Sequence, residues 1–342
     1  MTQIFDRTLL DKLNALLKSI KKAVVITHVN PDGDAIGSSL GWAYYLCKNN
    51  IETTVITPNR FPEFLKWMEG SNDIKVYYDG RKQVEQIISE ADAIFCLDFN
   101  TLNRIDDLGK YIESMNKPMI LIDHHLEPAS YFYLSFSYIP ASSTAELVYR
   151  IIMELSGTKN IDTSAAEAIY AGIVTDTGMF SHSCANPELF IIVANLMECN
   201  IDKDKIHTLI YDNFTVDRMM LLGYSLNERM VVLPEYRTAY IYLTCVELDK
   251  YKFQPGDTEG FVNYPLSIKN IVLSAFFVEG VNHIKISFRS RGEFSVNKLA
   301  REHFNGGGHK NASGGRTLLT LNETVKLFET VLENYKDELL EN

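Results

Sequence analysis

The strongest constraint on the fold of this chain is an alternation, through its first half, between short apolar runs and segments with helical spacing. Runs rich in β-branched and other apolar residues predict buried strands at 23–28, 53–58, 93–99, 116–125 and 134–140. Helical patterns separate them, including 35–50 and the segment that begins after Ser143, a predicted N-cap. This order predicts an α/β domain with a doubly wound parallel sheet, in which functional groups gather at the carboxyl ends of the strands.

The helix predicted at 35–50 carries small residues on one side, at Gly37, Ser38 and Gly41. Because small side chains permit close packing, this side is expected to lie directly against the sheet.

The pattern changes at about residue 232, where runs at 237–246, 271–280 and 283–291 predict strands, followed by a glycine-rich stretch and a C-terminal helix. A second, smaller α/β domain with a mixed sheet, mainly antiparallel, is therefore expected. The 342 residues also exceed what one core comfortably holds. We predict an N-terminal domain over 1–200, a helical linker over 201–232 and a C-terminal domain over 233–342, with a cleft between the two domains.

Composition excludes several classes of function. The formal net charge of -11 argues against long duplex nucleic acid as a partner, because binding to its backbone needs a basic surface. The same charge fits either carboxylates gathered around cations or a solvated acidic surface. No apolar stretch approaches the ~18 residues that span a bilayer, and the charged N-terminal segment does not resemble a signal peptide. Five scattered cysteines without a C-x-x-C pair favour reduced thiols, so we expect a cytoplasmic protein without membrane partners.

Acidic and imidazole side chains follow predicted strands or helices in four places: His28, Asp32 and Asp34; Asp98; Asp123, His124 and His125; and Asp176. Each motif alone has an ordinary alternative, since Pro-Asp-Gly favours a turn and an aspartate often caps a helix. Together they fall at one predicted edge of the sheet. Like charges ~4 Å apart cost on the order of 4 kcal/mol per pair at an effective dielectric constant of 20, so such a cluster requires cations or protonation.

Two divalent cations would neutralise the carboxylates of Asp32, Asp34, Asp98 and Asp176. Cations ~3.5–4 Å apart suit in-line displacement at phosphorus. Because the candidate ligands are carboxylates with a minority of imidazoles and no thiolate, they favour Mn²⁺, with Mg²⁺ or Co²⁺ as alternatives, over a thiolate zinc site.

These motifs resemble those of the DHH phosphoesterase family, which is named after the triplet Asp123-His124-His125. "THVNPDGDAIGSSLG", "LDFNTLNR", "LIDHH" and "GIVTDTGMF" resemble its first four motifs. "ISFRSR" and "GGGHKNASGG" resemble the DHH-associated C-terminal domain of the nanoRNase and pAp-phosphatase-like subgroup. The resemblance covers most of the chain, and it implies a DHH metal-binding catalytic domain followed by a substrate-binding domain.

The resemblance also implies roles for individual residues. Its two cations would be held by His28 and Asp32 on one side, by Asp34, His124 and Asp176 on the other, and by Asp98 as a bridge. Asp98, Asp123 and His125 would form the catalytic set. Asp123 would orient a histidine, His125 would face the scissile phosphate as a donor or general acid, and the cations would activate water.

In the C-terminal domain, the resemblance implies substrate contacts by Arg289, Ser290, Gly307, Gly308 and His309. Arginine suits bidentate binding of a phosphate, and glycines let the backbone approach an anion. The same glycine stretch also fits a flexible hairpin loop. The chain departs from its relatives at Ser181-His182, where they often carry an arginine, and this puts a phosphate contact from that loop in doubt.

The function implied is an Mn²⁺-dependent phosphoesterase that hydrolyses short oligoribonucleotides, 3′-phosphoadenosine 5′-phosphate, or both, to nucleoside monophosphates. A cyclic or linear dinucleotide phosphodiesterase and an exopolyphosphatase are alternatives. A non-catalytic nucleotide-binding regulator is the alternative from another class, although every predicted ligand position holds a competent residue. The expected partner is a small nucleotide or short single-stranded RNA, and a homodimer remains open.

Overall fold

The computed structural model describes residues 2–157 and 160–342, which form two compact units, Met1–Asn213 and Phe214–Asn342. We call them unit 1 and unit 2. The division falls inside the segment 201–232 that the sequence predicts as a linker. In the part of the chain that the structure describes, no helix is both long enough and apolar enough to cross a membrane.

Unit 1 is built on a parallel sheet with helices packed against it. Its strands are β1 (Lys22–Ile26), β2 (Glu52–Thr57), β3 (Lys75–Val76), β4 (Ala93–Leu97), β5 (Met119–Asp123) and β6 (Leu134–Ser137). Its helices are α1 (Arg7–Ser19), α2 (Gly33–Lys48), α3 (Arg81–Glu90), α4 (Asp106–Glu113), α5 (Thr144–Ser156), α6 (Thr163–Asp176), α7 (Pro187–Met197) and α8 (Lys203–Tyr211). The strand order is β3-β2-β1-β4-β5-β6, with parallel pairing throughout, so the predicted doubly wound domain is confirmed.

The strands of unit 1 are apolar on both faces because helices cover both. Along β1, Val24 and Val25 belong to separate hydrophobic clusters on opposite faces of the sheet, and Ile94 and Phe95 of β4 alternate in the same way. The strand order reverses between β1 and β4, which are neighbours. In open α/β sheets, such a reversal opens a crevice at the carboxyl ends of the strands.

The small residues of α2 pack against α6. A Cβ at Gly37 would lie 2.3 Å from the Ala168 carbonyl oxygen, and one at Gly41 would lie 2.6 Å from the Ile169 side chain. The expectation that these glycines face the sheet was therefore wrong. They form a close helix–helix contact, in which Gly37 faces the backbone of α6 and Gly41 faces the Ile169 side chain.

Unit 2 contains a mixed sheet, as predicted. Its strands are β7 (Met230–Leu233), β8 (Thr238–Leu243), β9 (Leu273–Glu279), β10 (Ile284–Ser290), β11 (Gly307–Gly308) and β12 (Ala312–Thr317). Its helices are α9 (Val216–Glu228), α10 (Cys245–Lys250), α11 (Val296–His303), α12 (Leu321–Glu333) and α13 (Lys336–Glu341).

The strand order in unit 2 is β11-β12-β10-β9-β8-β7, and β8 and β9 pair in parallel while the other neighbours are antiparallel. The parallel pair is possible because α10 and the 3-10 helix Phe261–Ser267 lie in the connection and let the chain cross over.

Candidate metal centre

The candidate site lies at the carboxyl ends of three neighbouring strands of unit 1. His28 comes two residues after β1, Asp98 directly follows β4, and Asp123 is the last residue of β5. Parallel strands present these ends at one edge of the sheet, and β1 and β4 flank the point where the strand order reverses. The topology therefore explains why residues far apart in sequence meet.

Asp98 is at the centre of the cluster. Its backbone has φ of 64°, a left-handed conformation that aspartate adopts more readily than most residues. One carboxylate oxygen, Oδ2, lies 3.3 Å from His28 Nε2, and the other, Oδ1, lies 3.8 Å from His124 Nε2. The Thr144 hydroxyl donates to Oδ1 at 3.0 Å. Thr144 is absent from the predicted site residues, because the sequence marks it only as the residue after a helix N-cap.

Burial opposes the ionisation of Asp98, but a hydrogen bond from His28 and the nearby charge of His125 outweigh it and lower the pKa of Asp98. Asp98 therefore stays anionic, whereas the pKa values of Asp34 and Asp176 are raised.

Asp34 is buried and held by the start of α5. Its carboxylate accepts hydrogen bonds from the backbone N–H groups of Thr144, at 2.7 Å, and Ala145, at 2.9 Å. Burial, followed by the charges of Asp98 and Asp176, raises the pKa of Asp34 well above its usual value. The N-terminus of α5 thus orients the Asp34 carboxylate, although burial and the neighbouring carboxylates disfavour its charged form.

Two histidines are fixed so that the same ring nitrogen faces the cluster. His28 Nδ1 lies 2.9 Å from the Val29 carbonyl oxygen, and His124 Nδ1 lies 3.2 Å from that of Ala141. A carbonyl oxygen only accepts, so Nδ1 carries the proton in both rings. Nε2 of each ring faces Asp98 and is the nitrogen that would ligate a metal.

His125 makes a different contact from the other two histidines. Its Nδ1 lies 2.7 Å from Asp123 Oδ1, and both side chains are buried. Among the described residues, Asp123 Oδ2 is a buried oxygen without a hydrogen-bond partner. The pair resembles an imidazole oriented by a carboxylate, as expected of a positioned proton donor.

Asp32 and Asp176 complete the cluster from two helix ends. Asp32 caps α2, where its Oδ1 accepts from the N–H groups of Asp34 and Ala35. Asp176 ends α6, and its Oδ2 lies 3.4 Å from His124 Nε2. Burial raises the pKa of Asp176 to about 6, opposed by the charge of His124 and assisted by that of Asp32.

The predicted ligands fall in two groups whose ligand atoms lie within 4.8 Å of one another: His28, Asp32 and Asp98, and Asp34, His124 and Asp176. Asp98, Asp123 and His125 form a further group of this kind. The first two groups contain the six residues that the sequence predicts as ligands. Their donors are carboxylate oxygens and imidazole nitrogens, a set that suits Mn²⁺ or Mg²⁺. Buried carboxylates that raise one another's pKa are a further sign that the donor set fits cations. The assignment of individual ligands remains a prediction.

The predicted substrate residues of unit 2 lie at the end of β10 and in the following hairpin. The Arg289 guanidinium donates to the Phe288 carbonyl oxygen at 3.0 Å. Ser290 is buried, and its hydroxyl donates to the Phe294 carbonyl oxygen at 2.7 Å and accepts from Asn311 at 2.8 Å. Ser290 therefore already stabilises the fold, and its contact with substrate stays a prediction.

The glycine-rich stretch forms a hairpin in which β11 pairs with β12. Gly308 has φ of 141°, and a Cβ there would lie 2.6 Å from the Ala312 carbonyl oxygen. The His309 N–H donates to the same oxygen at 2.7 Å. The hairpin alone accounts for Gly308, and substrate contacts by Gly307, Gly308 and His309 remain predictions.

Comparison with known proteins identifies both domains. Residues 22–173 match the DHH family N-terminal domain, and residues 237–334 match the DHHA1 domain. The chain is 44% identical to an exopolyphosphatase-related protein from Bacteroides fragilis, with 99% of each chain covered and a TM-score of 0.94.

The chain is also 29% identical to the bifunctional oligoribonuclease and PAP phosphatase NrnA of Bacillus subtilis (strain 168), covering 84% of this chain and 86% of that protein. It shares its fold with RecJ from Thermus thermophilus in complex with Mn²⁺, at 13% identity and a TM-score of 0.56, with 98% of this chain and 56% of that one covered. The chain therefore belongs to the DHH family. Its N-terminal DHH domain is followed by a DHHA1 domain, as its motifs predict.

Proposed function

We propose that this chain is a hydrolase of phosphoester bonds that uses two divalent cations, with Mn²⁺ as the working metal. Its proposed substrates are short oligoribonucleotides and 3′-phosphoadenosine 5′-phosphate (pAp), which it converts to nucleoside monophosphates. The observation that carries the proposal is the convergence of two ligand groups on Asp98 at one edge of the sheet. The names of NrnA relatives that match most of the chain support this substrate class.

The proposed ligands are His28 and Asp32 for one cation, Asp34, His124 and Asp176 for the other, and Asp98 for both. When bound, two such cations lower the pKa of water and neutralise charge on the phosphate. The residues themselves supply orientation. Backbone N–H groups of α5 hold Asp34, and the Thr144 hydroxyl holds Asp98.

His125 is the proposed proton donor to the leaving oxygen. Its Nδ1 lies 2.7 Å from Asp123 Oδ1, and Nε2 is the nitrogen proposed to donate a proton to the substrate. The Asp123 carboxylate stabilises the imidazolium form that donates, and it limits rotation of the ring. Asp123 is thus proposed as a positioning residue.

A second candidate function is hydrolysis of the phosphoanhydride bonds of polyphosphate. It is favoured by the similarity to the exopolyphosphatase-related protein of Bacteroides fragilis, which is 44% identical over 99% of this chain. The same metal chemistry would serve both substrates, so the site alone does not separate them.

The deciding experiment is a hydrolysis panel. The purified chain is treated with EDTA, and Mn²⁺, Mg²⁺ or Co²⁺ is added back with pAp, diadenylate, a five-residue RNA, pyrophosphate or polyphosphate. We expect Mn²⁺-dependent release of nucleoside monophosphates from the first three. Asp98→Ala should abolish it, whereas Asp11→Ala, at an exposed aspartate of α1, should not. Turnover of polyphosphate alone supports the second function, and nucleotide binding without turnover supports a regulator.

A further inference from the structure

The two proposed nucleotide substrates, pAp and short oligoribonucleotides, are cleaved at the same P–O3′ bond. The inference that follows rests on the proposed function. In pAp, water adds to phosphorus, the P–O3′ bond breaks, and O3′ takes a proton to leave as a hydroxyl of adenosine 5′-monophosphate. Release of nucleoside 5′-monophosphates from the dinucleotide pApA breaks the same P–O3′ bond. The substrates differ only in the downstream nucleoside, which pApA carries on the phosphorus through O5′ and pAp lacks.

A groove in unit 1 is positioned to receive that nucleoside. It has a volume of about 740 Å³ and is lined by residues 139–141 and 181–186. Its two walls adjoin the candidate metal centre. The Ala141 carbonyl oxygen accepts from His124 Nδ1 at 3.2 Å, and the Ser181 N–H donates to the Thr177 carbonyl oxygen, one residue after Asp176.

The chemistry of this groove suits an uncharged group. Among the described residues that line it, none is a lysine, arginine, aspartate or glutamate, and His182 contributes an imidazole that can stack on or hydrogen-bond a base. Ile139 offers an apolar surface with 48% of its area exposed, while hydroxyl and amide groups from 181–186 can hydrogen-bond a base or ribose. The volume lies within the range of small-molecule sites, roughly 300–1,000 Å³. No lysine or arginine among these side chains is present to bind a second phosphate. A nucleoside can pack against the apolar surface and hydrogen-bond to the polar groups.

One wall of the groove is set by an unusual turn. Gly178, Met179 and Phe180 have successive φ values of 52°, 57° and 61°. Residues other than Gly, Asn and Asp seldom adopt this conformation, and rarely in succession. Thr177 anchors the turn, because its buried hydroxyl accepts from the Phe180 N–H at 3.1 Å. Strained backbone persists where surrounding structure imposes it, often beside functional sites. Here it directs residues 181–183 along the groove beside Asp176.

We propose that this groove binds the downstream nucleoside of oligonucleotide substrates. It would then determine how far the enzyme prefers a dinucleotide or longer chain over pAp, which leaves the groove empty. The metal centre acts on both substrates, and the groove contributes to only one of them.

The test fills or alters the groove and compares three substrates. Ala185→Trp blocks the groove and Ile139→Ser removes its apolar surface, and both residues are exposed, which favours retention of the fold. The third substrate is pAp with a methyl ester on its 3′-phosphate. Its scissile phosphate carries the same charge as that of pApA, but it has no downstream nucleoside. In each variant, kcat/KM for pApA should fall about tenfold relative to both other substrates, the effect of losing ~1.4 kcal/mol of binding.

Ala15→Trp is the matched control, because Ala15 is an exposed alanine of α1 outside the groove, and it should leave the ratios unchanged. If both groove variants keep the ratios of the unaltered protein while all three substrates are cleaved, the groove does not bind the nucleoside, although the proposed function stands. If the unaltered protein cleaves no substrate with Mn²⁺, the proposed function fails, and this inference fails with it.

Discussion

At the scale of single residues, Asp98 makes the contacts that unite the site. It accepts from Thr144, approaches His28 and His124, and lies 3.7 Å from His125 Nδ1. Its left-handed backbone aims the carboxylate between two strand ends. A substitution that keeps the shape of this side chain but removes its charge isolates the electrostatic contribution.

We predict that Asp98→Asn lowers Mn²⁺-dependent turnover by more than about 100-fold. Replacing a residue that only orients a metal ligand already lowers activity roughly 10–100-fold, and Asp98 is proposed to be a ligand itself. Asparagine tolerates φ of 64°, so the backbone should be kept, but loss of the anionic partner of His28 should lower the melting temperature without metal. Steady-state kinetics and thermal unfolding check both statements. Turnover within tenfold of the unaltered protein would contradict a bridging role.

Asp123→Asn tests the positioning of His125. The amide keeps an acceptor near His125 Nδ1, which lies 2.7 Å from Asp123 Oδ1, but no longer stabilises an imidazolium. We expect kcat to fall roughly 10–100-fold while Mn²⁺ affinity, measured by calorimetry, stays within about threefold. A loss of Mn²⁺ binding equal to the loss of kcat would instead make Asp123 a ligand.

At the scale of elements, the site depends on how closely α2 and α6 approach. Gly37 faces the Ala168 carbonyl oxygen, and a Cβ at Gly172 of α6 would lie 2.9 Å from Asp34 Oδ1. These contacts place the start of α2 and the end of α6, and therefore Asp34 and Asp176, side by side. The sequence showed small residues, but the partner that they pack against depends on how the helices fold onto the sheet.

Gly37→Ala should destabilise the protein by roughly 2 kcal/mol, because the added methyl would lie 2.3 Å from a backbone oxygen that cannot rotate away. Gly223→Ala is the matched control, since Gly223 is also inside a helix. Apart from its chain neighbours and the adjoining backbone of its own helix, no atom of the described residues lies within 4 Å of the position that its methyl group would take. That control should stabilise by about 0.4–1 kcal/mol. Denaturant unfolding measures both, and equal effects would contradict the close contact.

An ion-pair network joins α5 to α7. Arg150 is buried, and it donates to Glu146 at 2.7 Å and to Glu188 at 2.9 Å. Hydrogen bonds from Thr2, followed by the one from Arg150, lower the pKa of Glu188 to about 2. A carboxylate whose pKa falls on folding stabilises the protein above its unfolded pKa, near 4.5, and that contribution is lost as the pH falls towards 2.

Glu188→Gln should therefore lower the melting temperature at pH 7, and the difference from the unaltered protein should shrink as the pH falls from about 4.5 to 2. Glu63→Gln is the control, because Glu63 forms an exposed pair with Lys66, and such pairs contribute little. A difference independent of pH would show that packing, and not charge, explains the effect.

At the scale of the whole molecule, metal binding should increase the free energy of unfolding. A ligand that binds only the folded state stabilises it by RT ln(1 + [L]/Kd), or about 2.7 kcal/mol at 100 times Kd. Mn²⁺ should therefore raise the melting temperature, and EDTA should reverse the rise. Hydrogen exchange should slow in peptides containing Asp98, Asp123 and Asp176, and Asp98→Asn should remove both effects. A rise that persists in this variant would indicate metal binding elsewhere.

The sequence by itself determined the alternation of strands and helices and the doubly wound sheet, because strand ends and turn chemistry are local properties. Its resemblance to the DHH family supplied the six candidate ligands. Only the tertiary structure decided what depends on distant neighbours. It added Thr144 to the site, turned Gly37 towards α6, made β8 and β9 parallel, and paired the Ser290 hydroxyl with Asn311. Each is a contact between residues that are not neighbours in the chain, and local patterns do not encode such contacts.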